Sequence, residues 1–460
     1  MSAPYFIALA IIAVATYVYG SKRALAFQST GLRGILHSLP VYHGWYLAAA
    51  SALPMFLLFA VWMTLAPRWI ESRVLQQLPS AMQSTDPLVR ATVLRDISNA
   101  MSGGALAEAA SADIKTAASS MQSFTDLSGW AMLAAGLALA GLGFAWGSTH
   151  LRPDFRARNS VEKIVNAALI ACSVVAILTT AGIVFSVLFE SLRFFGKYPW
   201  NDFLFGLQWS PQTAIRADQI GQSGTFGFVP LFVGTMLIML IAMLVAAPIG
   251  LFAAIYMAEY ATPKFRATAK PVLEILAGVP TVVYGFFAAL TVAPLIRQAG
   301  GYFGLDVASE SALAAGAVMG VMIIPFISSL SNDVINAVPQ TLRDGSYAMG
   351  ATKSETIKQV VLPAALPGIV SAIMLAVSRA IGETMIVVMA AGLAGNLTFN
   401  PLESVTTITV QIKTLLVGDQ EFDSAKTLSA FALGFVLFFF TLILNMAALK
   451  IVQKYREQYD

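Results

Sequence analysis

The sequence predicts an all-α, polytopic membrane protein with about nine transmembrane helices, and three observations carry that expectation. Hydrophobic residues make up 57% of the 460 and charged residues only 12%, about half the charge load of a soluble protein. The mean hydropathy is +0.72. Nine stretches approach or exceed the run of about 20 apolar residues that crosses a bilayer: 4–20, 45–66, 128–147, 164–189, 227–257, 271–296, 312–330, 367–394 and 428–449. A disordered chain, a disulfide scaffold and an ordinary cytosolic enzyme are excluded, since a soluble fold of this length needs far more polar surface. A net charge of +3 gives no basis for nucleic-acid binding. The single cysteine, Cys172, stands in an apolar run and reads as a small core hydrophobe.

The first span is the shortest. It differs from a signal peptide because its first basic residues, Lys22 and Arg23, follow the apolar run instead of preceding it. It therefore reads as a retained helix with its N-terminus outside. Alternation from that start gives a charge ledger. The segments assigned to the cytoplasm, among them those of Arg33, Arg152, Arg156, Lys264, Lys270, Arg343, Lys358 and Arg456, hold 16 basic and 9 acidic residues when Glu274, at the margin of the sixth span, is counted with them. The external segments hold 11 basic and 15 acidic residues. Short loops enriched in Lys and Arg belong inside, so the ledger agrees with the assigned orientation and puts the C-terminus in the cytoplasm.

The external loop, 67–127, contains Leu88, Val89, Val93, Leu94 and Ile97 at mixed spacing, which suggests short amphipathic helices and no packed domain. Met101-Ser-Gly-Gly within it reads as a flexible turn. There is no G-x-x-x-x-G-K-[ST] loop to cradle a nucleotide. His37, His43 and His150 have no metal-site spacing, and no serine stands in a G-x-S-x-G elbow. Without a nucleophile and base, energy for transport has to come from an ion gradient or from another subunit.

Two charges fall inside the eighth span. Arg379 follows its start by 12 residues, roughly 18 Å into a core about 30 Å thick. An arginine at that depth costs about 2.5–3.5 kcal/mol on insertion scales. Glu383 follows at i+4 on the same helical face, with Thr384 beside it. The pair reads either as a buried bridge between helices or as a charge in the path of an anion, with Glu383 setting the charge of Arg379 or gating it. The planar guanidinium suits phosphate or carboxylate oxygens.

The loop 336–366 reads as a short helix, a bend at Gly350, and a second short helix stopped by Pro363 and Pro367. A loop this long is usually functional when ordered. Its spacing resembles a loop of the ATP-binding-cassette importers: E-A-A, three residues, G, nine residues, I, one residue, L-P. Here Asp344-Gly345-Ser346 is followed by Tyr347-Ala-Met, Gly350, nine residues, Val360, Val361 and Leu362-Pro363. Asp for Glu, Gly-Ser for Ala-Ala and Val for Ile are the departures. The resemblance implies a type I permease core of six helices, whose coupling helix, about 344–353, docks on a partner ATPase.

Three more stretches narrow the resemblance to the phosphate-specific permeases. Gly278-Val-Pro280-Thr281-Val-Val-Tyr284-Gly285-Phe-Phe is similar to their G-[IV]-P-[ST]-V-V-Y-G-F. Ala254-Ile-Tyr-Met-Ala-Glu-Tyr is similar to A-I-Y-L-A-E-Y, and Arg379-Ala-Ile-Gly-Glu-Thr-Met to R-A-[LI]-G-E-T-M. Met385 and the downstream Gly-Asn at 395–396 resemble the PstC type more than its PstA-type partner. The resemblance covers about 160–455. It implies two regions: residues 1–160, an extension with about three spans and the external loop, and residues 161–460, the permease core. It also implies a subunit of an ATP-driven phosphate importer in the bacterial inner membrane. Its partners would be a PstA-type permease, a cytoplasmic ATPase dimer that binds the ATP, and an external phosphate-binding protein, with no cofactor on this chain. In this family the Arg and Glu of the signature are implicated in phosphate passage. Three rival readings are an ion-coupled secondary transporter using Glu383, a scaffold working through its external loop, and a permease for another oxyanion.

Overall fold

The computed structural model describes residues 2–29, 36–79, 87–102, 111–211, 224–417 and 423–455. Arg33 and Arg456 of the charge ledger, and Gly103 and Gly104 of the expected turn, lie outside these residues, as does the side chain of Leu88. Among the described residues nine helices are long and apolar enough to cross a membrane. The chain divides into two compact units, Met1–Leu178 and Thr179–Asp460.

The first unit holds α1 (Ser2–Ser29), α2 (Pro40–Gln76), α3 (Pro87–Ser102), α4 (Ala112–His150) and the start of α5 (Ala157–Phe195). Helices α1, α2 and α4 pack together, with Tyr5, Met55, Met132 and Ala140 buried between them. The Tyr5 hydroxyl donates to the Met55 carbonyl at 2.7 Å, and the Trp62 indole to Ser128 Oγ at 2.9 Å. At 37 residues, α2 is about 56 Å long, nearly twice the hydrocarbon thickness. Exposed Trp45 and Trp69 on α2, and Trp146 and Trp130 on α4, bracket about 36 and 24 Å of helix, as interfacial aromatic belts do.

The expectation of short helices alone between 67 and 127 therefore needs correction. Only α3 is short. Beyond the belts α2 and α4 simply continue, and Ile97 of α3 inserts against Ile70, Val74, Ala117 and Ala118 in a small packed cluster. Val93 is partly buried there, whereas Val89 is exposed.

The second unit is built on α7 (Val229–Ile255) and α11 (Ala312–Ala337), which pack along their lengths. Ile238, Ala242, Ala246, Met319, Ile323 and Ile327 are among the core they share. Small residues on both faces let the backbones approach, the usual device where lipid supplies no hydrophobic drive. Around them stand α8 (Pro263–Ala277), α9 (Thr281–Phe287), α10 (Ala293–Tyr302), α12 (Gln340–Ala348), α13 (Lys353–Thr356), α14 (Leu362–Ile381), α15 (Met385–Ala390), α16 (Ile408–Leu416) and α17 (Ala425–Tyr455). A short α6 (Trp200–Phe205) and an antiparallel ladder of two residues per strand, β1 (Trp209–Ser210) with β2 (Thr225–Phe226), leave the class all-α.

Two expected spans are not continuous helices. In 271–296 the helix ends at Gly278 and restarts after Pro280, so the span is Thr281–Tyr302. Helix α8, with Lys264, Arg266 and Lys270, has no buried residue and is a separate amphipathic helix. In 367–394 the helix ends at Ile381, and its span begins as early as Lys353. Pro363 and Pro367 do not stop it. A π-helical turn, Ile357–Val361, precedes Pro363 and widens the helix where the ring would meet the carbonyl of Gln359. The same device, Ala288–Val292, precedes Pro294. Cys172 is exposed, not a core residue: nothing in the apolar stretch of α5 is buried within the chain, because lipid accepts apolar side chains that water would not.

Candidate functional site

The site grows from the two helix breaks. After Ile381 the chain turns through Gly382, Glu383 and Thr384 before α15 begins. Such a break leaves backbone groups to be satisfied, and at membrane depth irregular backbone survives only inside protein or along a wet cavity. Glu383 does most of this work. Its Oε1 accepts the N–H groups of Met385 at 2.9 Å and Ile386 at 3.4 Å, while its carbonyl accepts the Thr409 hydroxyl at 3.0 Å. Glu383 is thus off the helix that carries Arg379, and the expected i+4 pair on one helical face is not formed. Among the described residues no ion pair joins them.

Arg379 occupies the last turn of α14, where the negative end of the helix dipole favours a cation. It is exposed, and its guanidinium carbon stands 5.7 Å from the centroid of the Phe326 ring on α11. Neighbouring Ser378 donates to Asn445 Oδ1 of α17 at 2.9 Å. Thr384 is partly exposed beside the break, its hydroxyl 3.5 Å from the Gly382 carbonyl. The break following α8 packs against this one, since α9 lies along α15. A Cβ on Gly285 would meet Met389 Sδ at 2.7 Å and the Met385 carbonyl at 3.2 Å, so glycine permits the approach. Tyr284 is buried and its hydroxyl donates across the break to the Leu276 carbonyl at 2.9 Å. Pro280 caps α9 and Thr281 opens it. The stretches 278–285 and 379–385 thus form one neighbourhood.

The second assembly is the loop 336–366. Helix α12 ends in a Schellman turn: Ala351 N–H bonds the Ser346 carbonyl at 3.2 Å and Gly350 N–H the Tyr347 carbonyl at 2.9 Å. That turn puts Gly350 at φ +85°, a conformation in which an L side chain is strained. Thr352 and Glu355 then form a capping box that starts α13. Ser346 Oγ meets Thr356 Oγ1 at 2.9 Å, tying the two arms of the bend. Asp344 accepts from Gln340 Nε2 at 3.1 Å, and a Cβ on Gly345 would meet nothing. Tyr347 and Met349, the latter 89% exposed, present apolar surface at the tip. Leu362 and Pro363 stand at the start of α14, behind the π-helical turn.

Sequence reasoning missed what anchors this loop. Arg343, only 8% exposed, donates to Glu259 Oε1 at 3.1 Å and to the carbonyls of Ile335 and Val338 at 2.8 and 2.6 Å. Those carbonyls close the end of α11, and Glu259 sits in the π-helical turn Tyr256–Tyr260 that ends α7. Lys353 donates to the Glu259 carbonyl and lies 4.9 Å from the Tyr260 ring centroid. The available signal was an acid inside 254–261 and an arginine just before Asp344. Their contact spans 84 positions and is invisible to any local pattern.

Comparison with known proteins bears on both assemblies. Residues 6–179 match the family described as phosphate ATP-binding cassette transporter, and residues 246–457 the binding-protein-dependent transport system inner membrane component. The probable ABC transporter permease protein YqgH of Bacillus subtilis is 34% identical over 270 residues, covering 58% of this chain and 83% of that protein. Phosphate transport system permease protein PstC 1 of Mycobacterium tuberculosis is 32% identical over 248 residues, covering 50% and 73%. A solved bacterial ABC transporter involved in import of the acidic polysaccharide alginate aligns at 13% identity and a TM-score of 0.44, over 64% of this chain and 99% of that one.

Proposed function

This chain belongs to the phosphate-specific permeases of the ATP-binding-cassette transporters, PstC type, and from that premise we propose how it works as the membrane-spanning subunit of a phosphate importer. Arg379, Glu383 and Thr384 line the anion's path. The observation that carries this is an exposed guanidinium in the last turn of a membrane helix, beside a helix break, with no carboxylate partner among the described residues. Facing lipid, that charge would cost about 2.5–3.5 kcal/mol, so an aqueous route for an anion accounts for it better. Glu383 contributes by holding the break open, and Thr384 by offering a hydroxyl. Contact with phosphate is weak and transient, because tight binding would stall release.

Residues 344–353 dock on a cytoplasmic ATPase dimer, with Asp344, Gly345, Ser346 and the tip side chains at the contact. The ATPases bind the ATP; this chain brings no ATPase site of its own. A PstA-type permease completes the pore, an external binding protein delivers phosphate, and nucleotide-driven closure swings the six helices of residues 161–460 between outward- and inward-open states. The N-terminus is external, the C-terminus cytoplasmic, and residues 1–160 form an extension to that core in the bacterial inner membrane.

In cells carrying the complete importer, ATP depletion is expected to stop phosphate uptake even while the proton gradient is held. Collapsing the gradient at constant ATP is expected to leave it. The opposite pattern would establish the ion-coupled reading instead. Gly350→Val is expected to lower the maximal uptake rate several-fold at unchanged apparent affinity, since the left-handed strain of about 1–2 kcal/mol falls on the bend alone. Uptake kinetics across phosphate concentration check this, and a change in affinity alone would count against a coupling role.

A further inference from the structure

A groove of about 450 Å³ runs between α2 and α4, walled by Trp62, Leu65 and Trp69 of one helix and by Phe124, Leu127 and Ala131 of the other, among others. Both sets recur at helical spacing, one apolar stripe on each helix. The polar side chains on these walls, Trp62 and Ser128, bond each other at 2.9 Å, so the groove asks for an apolar occupant. It lies at interfacial depth. It reaches from Ala131, beside the belt residue Trp130, to the belt residue Trp69, which meets Phe124 edge to face with 6.2 Å between ring centroids. A cation stands at that end. Arg73, one turn beyond Trp69, is exposed, and its guanidinium carbon lies 5.5 Å from the Trp69 ring centroid. It has no ion pair among the described residues. Arg68 and Asp126 flank the two helices with opposite charges. Glu71, two positions past Trp69, is about 200° around α2 from it and does not line the groove. Helix α3 covers a different side of α2, that of Ile70 and Val74.

We infer that this groove holds an acyl chain of a membrane phospholipid whose phosphate rests on Arg73, and that a net-anionic headgroup is preferred to a zwitterionic one. At an aromatic belt the bilayer passes from acyl chain to headgroup, and the groove makes the same change, from apolar walls to a guanidinium. The planar fork of Arg73 suits phosphate oxygens. A zwitterionic headgroup brings an ammonium that finds no carboxylate on the groove face, whereas an anionic one brings none. The inference is independent of the path proposed for Arg379.

The test reconstitutes the complete importer in phosphatidylethanolamine vesicles with a trace of phosphatidylglycerol that carries a photoactivatable group on its acyl chain, and maps the labelled peptides by mass spectrometry. Label is expected to concentrate on residues 61–69 and 124–131, and to fall when Ala131→Phe fills the groove. The same probe built on phosphatidylethanolamine is expected to label these peptides about fivefold less, the preference that one arginine gives an anionic lipid. Arg73→Gln is expected to erase that difference, and an unchanged thermal midpoint shows that the variant is folded. Label spread evenly over the apolar faces of α2, α4 and α5 would show ordinary surrounding lipid and overturn the proposal. Equal labelling by the two probes would also overturn it. Label reaching the groove in this chain alone but not in the complete importer would assign the groove to a partner subunit instead.

Discussion

Arg379→Gln is expected to lower phosphate uptake by about 10- to 100-fold, the equivalent of one lost charge-assisted hydrogen bond worth roughly 1.5–3 kcal/mol. The reasoning is local. The side chain is exposed at the end of α14, touches Phe326, and has no ion pair among the described residues, so its removal leaves no buried carboxylate stranded. The amount of chain in the membrane and its assembly with the ATPase should therefore stay at wild-type levels. Arg379→Lys should recover part of the rate, because it restores the charge without the planar fork. Glu383→Ala should behave differently: it strips the acceptor from Met385 and Ile386 and loosens the start of α15, so abundance falls together with uptake. Radiolabelled phosphate uptake normalised to membrane abundance separates the two. Wild-type uptake in Arg379→Gln would remove the arginine from the path.

The second large effect belongs to the anchor beneath the loop. Arg343→Met leaves Glu259 unpaired at 9% side-chain exposure and frees two carbonyls at the end of α11. Breaking one half of a buried pair typically costs about 3–5 kcal/mol. The expected result is a marked drop in the thermal midpoint of the purified importer, together with ATP hydrolysis that no longer responds to the loaded binding protein. Replacing both partners, Arg343→Met with Glu259→Leu, should recover much of the midpoint, since no uncompensated charge remains. It should not recover the response, because the loop has lost its charged tether to the end of α7. A single variant that unfolds and responds as wild type does would show that the anchor carries neither stability nor signal.

Much of this was legible because the signals were local. Each apolar run had to become a helix, as no other open structure satisfies its backbone in lipid, and among the described residues nine such helices are present. The spacing from Asp344 through Gly350 to Pro363 fixed a bend at a position where only the turn geometry mattered. The errors share a cause. The runs 271–296 and 367–394 are apolar throughout, so hydropathy could not see that Gly278–Pro280 and Gly382–Thr384 interrupt them. Conversely, Pro363 and Pro367 looked like stops because the π-helical turn that accommodates the first has no composition of its own.

The amino-acid sequence by itself determined the membrane class, the long apolar helices found among the described residues, and the residue types available for the proposed anion path and the proposed docking loop. These depend on hydropathy and spacing within about 20 neighbouring residues, which is the scale a bilayer imposes. The tertiary structure alone decided how those residues are used. It detached Glu383 from Arg379 and spent its carboxylate on α15, set the guanidinium on Phe326, and joined Arg343 to Glu259 across 84 positions. Which charge finds a partner, and which stays free, is settled by packing between segments far apart in the chain.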